Sequence, residues 1–472
     1  MLKKKRTLLA AAVALILPVV ALGTLAFSAT RTVPMNLPAS LTGNQRGEIV
    51  SVERVGKYPA FAVRLLVGIA GRKIESLKEL PAATSGATLF RLSYVTENHD
   101  GSPVVASGLV AIPKEQKMNE AVVYFHGTSA RRQNSPSFPG SKLSRLLTAA
   151  VTGTGNLLIA PDYIGLGGSE VRHPYLHSDS AVACTIDLLS ATRTFLRHLN
   201  VKWPPSLFLL GFSQGGHSTL AVQRALEQMN DPKLQVAGAA AIAGPTQLRK
   251  ISFPQTLTGT SKSHAFYLAY ITSAYANVYQ QPLNSILKDD YATSFQTIFD
   301  GHHPMDTIRE ALPEDPTEMF REDFLDTYHN GHSNWFLNAL SENSVADWIP
   351  QAPLRLFYGN LDQDVLPLEA TSVATAMKDK GAPVEAVSLG ELDHGKAMIH
   401  GIATALKWLR GLSPGNEMSN ACFLFTNAPQ MLAMSAQQAS NSYDPSVAAT
   451  APDSRTRSSV SLSSRTRSLS SP

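Results

Sequence analysis

The chain has 472 residues, with 41 Lys and Arg against 37 Asp and Glu, and a formal net charge of +4 at pH 7. This length exceeds what one hydrophobic core usually organises, so we expect one large domain with an insertion, or two domains, between dispensable ends. Because much of the small positive charge can come from Lys and Arg residues near the two ends, the charge gives no case for nucleic-acid binding.

The first 29 residues have the pattern of an export signal. Four basic residues at positions 3–6 precede an apolar run from about Leu8 to Phe27, and small residues follow at positions 26, 28 and 29. A cleaved signal, the favoured interpretation, predicts a periplasmic or secreted protein. The run is also about as long as a membrane-spanning helix needs. An uncleaved anchor, with membrane association through residues 8–27, therefore stays open.

Two β-rich runs flank Asp100-Gly101 between Thr88 and Pro113, which predicts an antiparallel hairpin. The later apolar runs do not alternate with polar residues, which favours strands of a parallel sheet buried on both faces. These runs are EAVVYF, NLLIAP, SLFLLG, VAGAAAIAGP, LRLFYG and VEAVSLG. Helical spacing lies between them, as at Val222, Ala225, Leu226 and Met229. We therefore predict an α/β fold with a mixed, mostly parallel sheet flanked by helices.

The C-terminal segment and the two cysteines provide no candidate catalytic residues. Residues 413–472 are rich in Ser, Ala, Asn and Pro and predict a low-complexity, disordered tail. Neither Cys184 nor Cys422 lies near the signal, and the default expectation is two unpaired thiols, although one disulfide between them stays open.

The stretch GFSQG, residues 211–215, satisfies G-x-S-x-G between a buried strand and an amphipathic helix. In that context the serine occupies a sharp turn that presents its hydroxyl at the carboxyl edge of the sheet. As a bare pattern, without this context, it more often marks an N-cap serine in a Gly-rich turn. Ser213 is the candidate nucleophile if a base and an orienting acid accompany it.

Both partners follow in the expected order, each just after a later strand. Asp362 lies three residues after Gly359, and His394 lies between a strand and a helix. Asp364 is the alternative acid, but Asp362 lies nearer the strand end. We expect Asp393 to cap the helix that begins with His394.

Three further sets of residues are candidates for roles in or near the site. We expect His217 and His400 to be packing or surface residues. For the oxyanion we predict the backbone amides of Gln214 and Thr128, with Gly127 or Ser129 as near substitutes for Thr128. His302 and His303 are adjacent and cannot easily ligate one ion from one strand face, so we expect no metal and no cofactor.

On these motifs, together with YFHGT, APDYIGLGGS, YGNLDQDVLP and LDHG, the chain resembles the bacterial and fungal secretory lipases of the α/β-hydrolase fold. The resemblance spans roughly residues 85–410. It implies triad roles for Ser213, Asp362 and His394, and a helical cap over residues 248–350. The cap would divide a hydrolase core formed by residues 30–247 and 351–412.

The cap segment is unusually aromatic, as an acyl-binding cap would be, although most of these side chains must form the core of the cap itself. They are Phe266, Tyr267, Tyr270, Tyr275, Tyr279, Phe295, Phe299, Phe320, Phe324, Tyr328, Trp335 and Phe336.

The resemblance implies an exported serine hydrolase that cleaves carboxylic esters, a lipase or esterase, through an acyl-enzyme. Its substrate would be a small-molecule ester or lipid, with no nucleic-acid partner. A peptidase or acyltransferase on the same fold is the alternative, and a non-catalytic relative is a further one that the complete triad argues against.

Overall fold

The computed structural model describes residues 32–71, 84–114, 118, 120–138, 142–259 and 261–413. The predicted signal or anchor, Cys422 and nearly all of the predicted tail lie outside these residues. All of the described residues belong to one compact unit. No described helix is long and apolar enough to cross a membrane.

Ten strands form one sheet in the order β1-β2-β3-β4-β6-β5-β7-β8-β9-β10. The pairs from β1 to β6 along this order are antiparallel and the remaining pairs are parallel. The predicted mixed, mostly parallel sheet is therefore confirmed. The strands are β1 (Val33–Pro34), β2 (Ile49–Tyr58), β3 (Ala87–Glu97), β4 (Pro103–Pro113), β5 (Glu120–Phe125), β6 (Leu157–Pro161), β7 (Ser206–Phe212), β8 (Val236–Ile242), β9 (Leu354–Tyr358) and β10 (Val384–Ser388).

The central strands are continuously apolar because each of their faces packs into a different hydrophobic cluster. In β7, Leu207 and Leu209 belong to the cluster on one face, whereas Phe208 and Leu210 belong to the cluster on the other. Since successive side chains of a strand point to opposite faces, a strand between two helical layers carries apolar residues at every position.

In the described residues, six helices accompany the sheet, and two of them carry residues of the candidate site. They are α1 (Ala60–Gly71), α2 (Lys142–Thr152), α3 (Ser178–His198), α4 (Gln214–Met229), α11 (Pro367–Asp379) and α12 (His394–Gly411). On α4, Val222 and Leu226 are buried as their spacing predicts. Met229 is 48% exposed, contrary to the spacing, because it is the last residue of the helix.

Between β8 and β9 the chain forms a π-helical turn at Leu248–Ser252 and six further helices. They are α5 (Phe253–Leu257), α6 (Lys262–Val278), α7 (Asp289–Ile298), α8 (Met305–Glu310), α9 (Glu322–His329) and α10 (Trp335–Glu342). All twelve aromatic residues named above belong to one hydrophobic cluster of this segment or pack against it. Eight of the twelve are buried, so most of these rings form the core of the helical segment.

Candidate active site

Ser213 occupies the turn that joins β7 to α4. Its backbone φ of 55° and ψ of −121° is a conformation that residues with a side chain rarely adopt. The Ser213 side chain makes no capping hydrogen bond to α4, although the residue stands at the N-cap position. The hydroxyl is thus not engaged as a helix cap, which disfavours the purely structural interpretation of the G-x-S-x-G stretch.

The two flanking glycines permit this turn because a side chain at either position would strike backbone. A Cβ at Gly211 would lie 2.0 Å from the carbonyl oxygen of Gly215, and a Cβ at Gly215 would lie 2.0 Å from that of Phe125. Both separations are far inside van der Waals contact. The glycines therefore let α4 begin directly against the ends of β5 and β7.

Ser213, His394 and Asp362 form one hydrogen-bonded chain. The Ser213 Oγ lies 3.0 Å from His394 Nε2, and His394 Nδ1 lies 2.7 Å from Asp362 Oδ2. Asp362 follows β9 and His394 is the first residue of α12 after β10. The carboxyl ends of parallel strands meet at one edge of the sheet, which brings together side chains up to 181 positions apart in the sequence.

The surroundings of Asp362 favour its role as an acceptor. Its side chain is fully buried, and its second oxygen, Oδ1, accepts the backbone amides of Asp364 and Val365 at 3.0 and 2.9 Å. A carboxylate so placed accepts a hydrogen bond from Nδ1–H of His394, which leaves Nε2 as an acceptor toward the Ser213 hydroxyl.

In the described ranges, the alternative residues do not join this chain of side-chain contacts. Asp393 caps α12 by accepting the amide of Lys396 at 2.9 Å, as expected. His217 is buried, with Nε2 2.7 Å from the carbonyl of Asn343, and His400 is half-buried on α12. The carboxylate of Asp364 makes no hydrogen bond to His394 among the described residues, although Asp364 lies beside the site.

The two predicted oxyanion donors lie at the start of α4 and in the loop that follows β5. Gln214 is the first residue of α4, so its amide has no partner within the helix. Thr128 lies in the loop after β5, and the carbonyl of the last residue of β5 packs against Gly215. The hydroxyl of Thr128 lies 2.9 Å from the hydroxyl of Tyr175. That these two amides donate to an oxyanion stays a prediction.

A residue that the sequence analysis missed holds the side chain of Gln214. The Nδ1 of His173 lies 2.7 Å from the carbonyl of Ile164 and therefore carries the proton. Its Nε2 can then accept from Gln214 Nε2, at 2.8 Å. Burial lowers the pKa of His173 to about 4, which keeps the ring neutral. The contact spans 41 positions and has no sequence signature.

A largely apolar pocket opens beside Ser213. It is lined from the helical segment by Leu248, Phe253, Tyr267, Leu268, Ile271 and Leu340, and from the rest of the chain by Tyr175, Leu176, Pro245, Asp364 and Val365, with the hydroxyls of Ser252 and Thr256 between them. Of the twelve aromatic residues named in the sequence analysis of the cap segment, Tyr267 is the one that lines this pocket. The pocket suits a hydrocarbon chain attached to a group that reacts at Ser213.

No cluster of three His, Cys, Asp or Glu side chains suited to a metal ion occurs in the described ranges. His303 Nδ1 lies 3.0 Å from Asp300 Oδ1, and His302 Nε2 lies 3.0 Å from an Arg132 nitrogen.

Comparison with known proteins places this geometry in a family. The sequence profile of the secretory lipases matches residues 141–418. No curated protein sequence matches the chain. A crystal structure of a candidate hydrolase from Legionella pneumophila is 25% identical, with a TM-score of 0.72, and the match covers 78% of this chain and 98% of that one.

Two further crystal structures share the fold at lower identity. The rice cell wall degrading esterase LipA from Xanthomonas oryzae has a TM-score of 0.68 at 22% identity, and the match covers 77% of this chain and 97% of that one. Candida antarctica lipase A in its closed state has a TM-score of 0.58 at 15% identity, with coverages of 80% and 85%. The chain belongs to the secretory lipase family, has the α/β-hydrolase fold and is a carboxylic ester hydrolase.

Proposed function

We propose that this ester hydrolase works through a triad in which Ser213 is the nucleophile, His394 the general base and Asp362 the orienting acid. The observation that carries the proposal is the chain of contacts from Ser213 Oγ through both nitrogens of His394 to the buried Asp362, at 3.0 and 2.7 Å. A serine hydroxyl is a weak nucleophile without a base, and the base needs a carboxylate to fix its tautomer.

Acylation begins when the Ser213 Oγ attacks the ester carbonyl carbon and His394 Nε2 takes the hydroxyl proton. Asp362 stabilises the imidazolium that forms. The amides of Gln214 and Thr128 donate to the oxyanion, helped by the positive end of the α4 dipole. Collapse of the tetrahedral intermediate expels the alcohol, which takes the proton from His394 and leaves an acyl group on Ser213.

Deacylation repeats these steps with water. His394 removes a proton from the water as its oxygen attacks the acyl carbon, and the same two amides receive the second oxyanion. When this intermediate collapses, Ser213 recovers its proton from His394 and the carboxylic acid leaves. The products are therefore one alcohol and one acid, and the enzyme returns to its starting protonation.

The apolar pocket supports an acyl chain as the group bound beside Ser213. The test is hydrolysis of p-nitrophenyl esters from two to sixteen carbons, with a p-nitroanilide of matched acyl group. Ester hydrolysis that rises with chain length supports a lipase, and activity confined to acetate and butyrate supports an esterase. Preferential cleavage of the anilide would replace the proposal with a peptidase.

We also propose that the protein is exported. The basic and apolar pattern of residues 1–29 and membership of a secretory family support this. Sequencing the N-terminus of the protein recovered outside the cytoplasm tests it. A new N-terminus near residue 29 indicates cleavage, whereas an intact one in the membrane fraction indicates an anchor. Recovery from the cytoplasm alone would contradict export.

A further inference from the structure

Asp364 lines the pocket that opens beside Ser213, and its carboxylate is not the one that contacts His394. The pocket lining includes both residues. Asp364 lies two positions from Asp362 and donates its backbone amide to Oδ1 of that carboxylate at 3.0 Å. Among the described residues of this lining, Asp364 is the one with a charged side chain.

Among the described residues, no cation forms a direct ion pair with the Asp364 carboxylate. No ion pair or hydrogen bond joins its carboxylate to another residue in the described ranges. Arg309, which lies near the pocket residue Tyr267, pairs instead with Asp306 at 3.3 Å. An unpaired carboxylate that is only partly exposed, in an otherwise apolar wall, exerts a stronger field than one on an open surface.

Two tyrosines of the lining lie close enough to Asp364 for its charge to raise their pKa. Burial raises the pKa of Tyr267, and the negative charge of Asp364 is the next largest contribution. Burial also raises the pKa of Tyr175, and the charge of Asp364 acts in the same direction there. Tyr267 belongs to α6 and Tyr175 precedes α3, so the field reaches both sides of the pocket.

We propose that Asp364 is a specificity-determining residue that makes the site discriminate against esters with a second, negatively charged group near the scissile bond. The inference rests on the proposed function of Ser213. Its substrate class is the neutral ester, and monoesters of dicarboxylic acids are disfavoured. The same charge repels the carboxylate product, which therefore leaves the pocket more readily.

The test compares mono-p-nitrophenyl glutarate, which is anionic, with its methyl ester, which is neutral. The wild type should prefer the neutral ester by about tenfold in kcat/KM. Asp364→Asn should lower that preference by about threefold to tenfold, the effect expected of one charge about 10 Å from a second in a partly exposed site. Added salt should reduce the preference of the wild type for the neutral ester more than it reduces that of Asp364→Asn, because salt screens the charge of Asp364.

Two further variants control for charge and for folding. Asp379→Asn makes the same change of net charge on the exposed end of α11 and should leave the preference at its wild-type value. Asp364→Ser removes the charge with a shorter side chain and should shift the preference in the same direction as Asp364→Asn. An unchanged preference in both Asp364 variants would overturn the inference.

A binding measurement separates this inference from the proposed mechanism. In Ser213→Ala, calorimetry with hexanoate and hexanamide compares a charged ligand with a neutral one without turnover. Adding Asp364→Asn should tighten hexanoate about threefold to tenfold and change hexanamide less than about twofold. Equal effects on the two ligands would contradict a role for charge. Hydrolysis that survives Ser213→Ala would contradict the proposed nucleophile and leave the binding comparison to decide the role of Asp364.

Discussion

The Asp362 carboxylate lies 2.7 Å from His394 Nδ1 through one oxygen, while two backbone amides hold its other oxygen. The carboxylate is thus fixed from behind and presents one acceptor to the imidazole. Because a carboxylate accepts only, this contact selects the His394 tautomer that leaves Nε2 free toward Ser213.

Replacing Asp362 with Asn should lower kcat by about four orders of magnitude, because an amide in the same place can donate to Nδ1 and select the wrong tautomer. The measurement is kcat for p-nitrophenyl butyrate. Asp393→Asn is the matched control one residue before His394, since Asn caps a helix as well as Asp does. Equal losses in the two variants would contradict the assignment of Asp362.

The turn around Ser213 should not tolerate a methyl group at Gly215. The Cβ of Gly215→Ala would meet the Phe125 carbonyl oxygen at 2.0 Å, so α4 must move away from β5. We expect unfolding free energy to fall by about 3 kcal/mol or more. Gly68→Ala on α1 is the control, because nothing lies within 4 Å of its Cβ and Ala favours a helix by about 1 kcal/mol. The measurement is urea unfolding of both variants. Equal changes in unfolding free energy would contradict a steric clash at Gly215.

Stability should fall as the pH drops from about 6.5 toward 4. Burial lowers the pKa of His173, His177 and His217 to about 4 from an ordinary 6.5. The unfolded chain therefore binds more protons than the native one in this window, so unfolding free energy rises with pH there. Each histidine contributes up to about 1.4 kcal/mol per pH unit near pH 5, and the stability it adds is fully present above pH 6.5.

His217→Gln tests this pH dependence, since a Gln amide can replace Nε2 as the donor to the Asn343 carbonyl. Urea unfolding at pH 5, 6 and 7 should give a slope smaller than the wild-type slope by about 1 kcal/mol per pH unit. The exposed His302→Gln should keep the wild-type slope. A His217→Gln slope equal to that of the wild type would show that His217 titrates normally.

Glu369 on α11 should prove essential to the attachment of the helical segment. Its buried carboxylate accepts from the backbone amides of Thr246 and Gln247 at 2.9 and 2.8 Å, and from the hydroxyls of Thr246 and Ser252. Glu369→Ala leaves these donors without their acceptor and should cost about 3 kcal/mol or more.

The control for Glu369 is Glu310→Ala, an exposed position where substitutions change stability by about 0.5 kcal/mol or less. Glu369→Gln should fall between the two, because an amide oxygen still accepts from some of the donors. Thermal unfolding of all three variants gives the comparison. A Glu369→Ala midpoint within a degree of the control would show that the donors find other partners.

Much of the fold could be predicted because its signals are local. Strands buried on both faces are apolar at every position, and each central strand found in the structure coincides with such a run. Strand β2, which pairs with the edge strand β1, and helix α1 were not predicted. β2 mixes buried and exposed positions without strict alternation, and its pairing with β3 is irregular at two places.

The three residues of the candidate triad could be selected from the sequence because each follows a recognisable strand, and the structure brings them together; their catalytic roles remain proposals. Other features depend on contacts between distant residues. Glu369 meets Thr246 across 123 positions, and His173 meets Gln214 through a loop without a motif. Composition likewise could not separate Tyr267, which lines the pocket, from aromatic neighbours that form a core.

The most direct measurement of the central claim is covalent labelling with a fluorophosphonate, located by mass spectrometry. The account predicts one adduct, on Ser213, that blocks ester hydrolysis. It also predicts that Ser213→Ala takes no label, keeps its melting temperature and loses about six orders of magnitude in turnover. An adduct on another residue, or hydrolysis that survives Ser213→Ala, would contradict the assignment of Ser213 as the nucleophile.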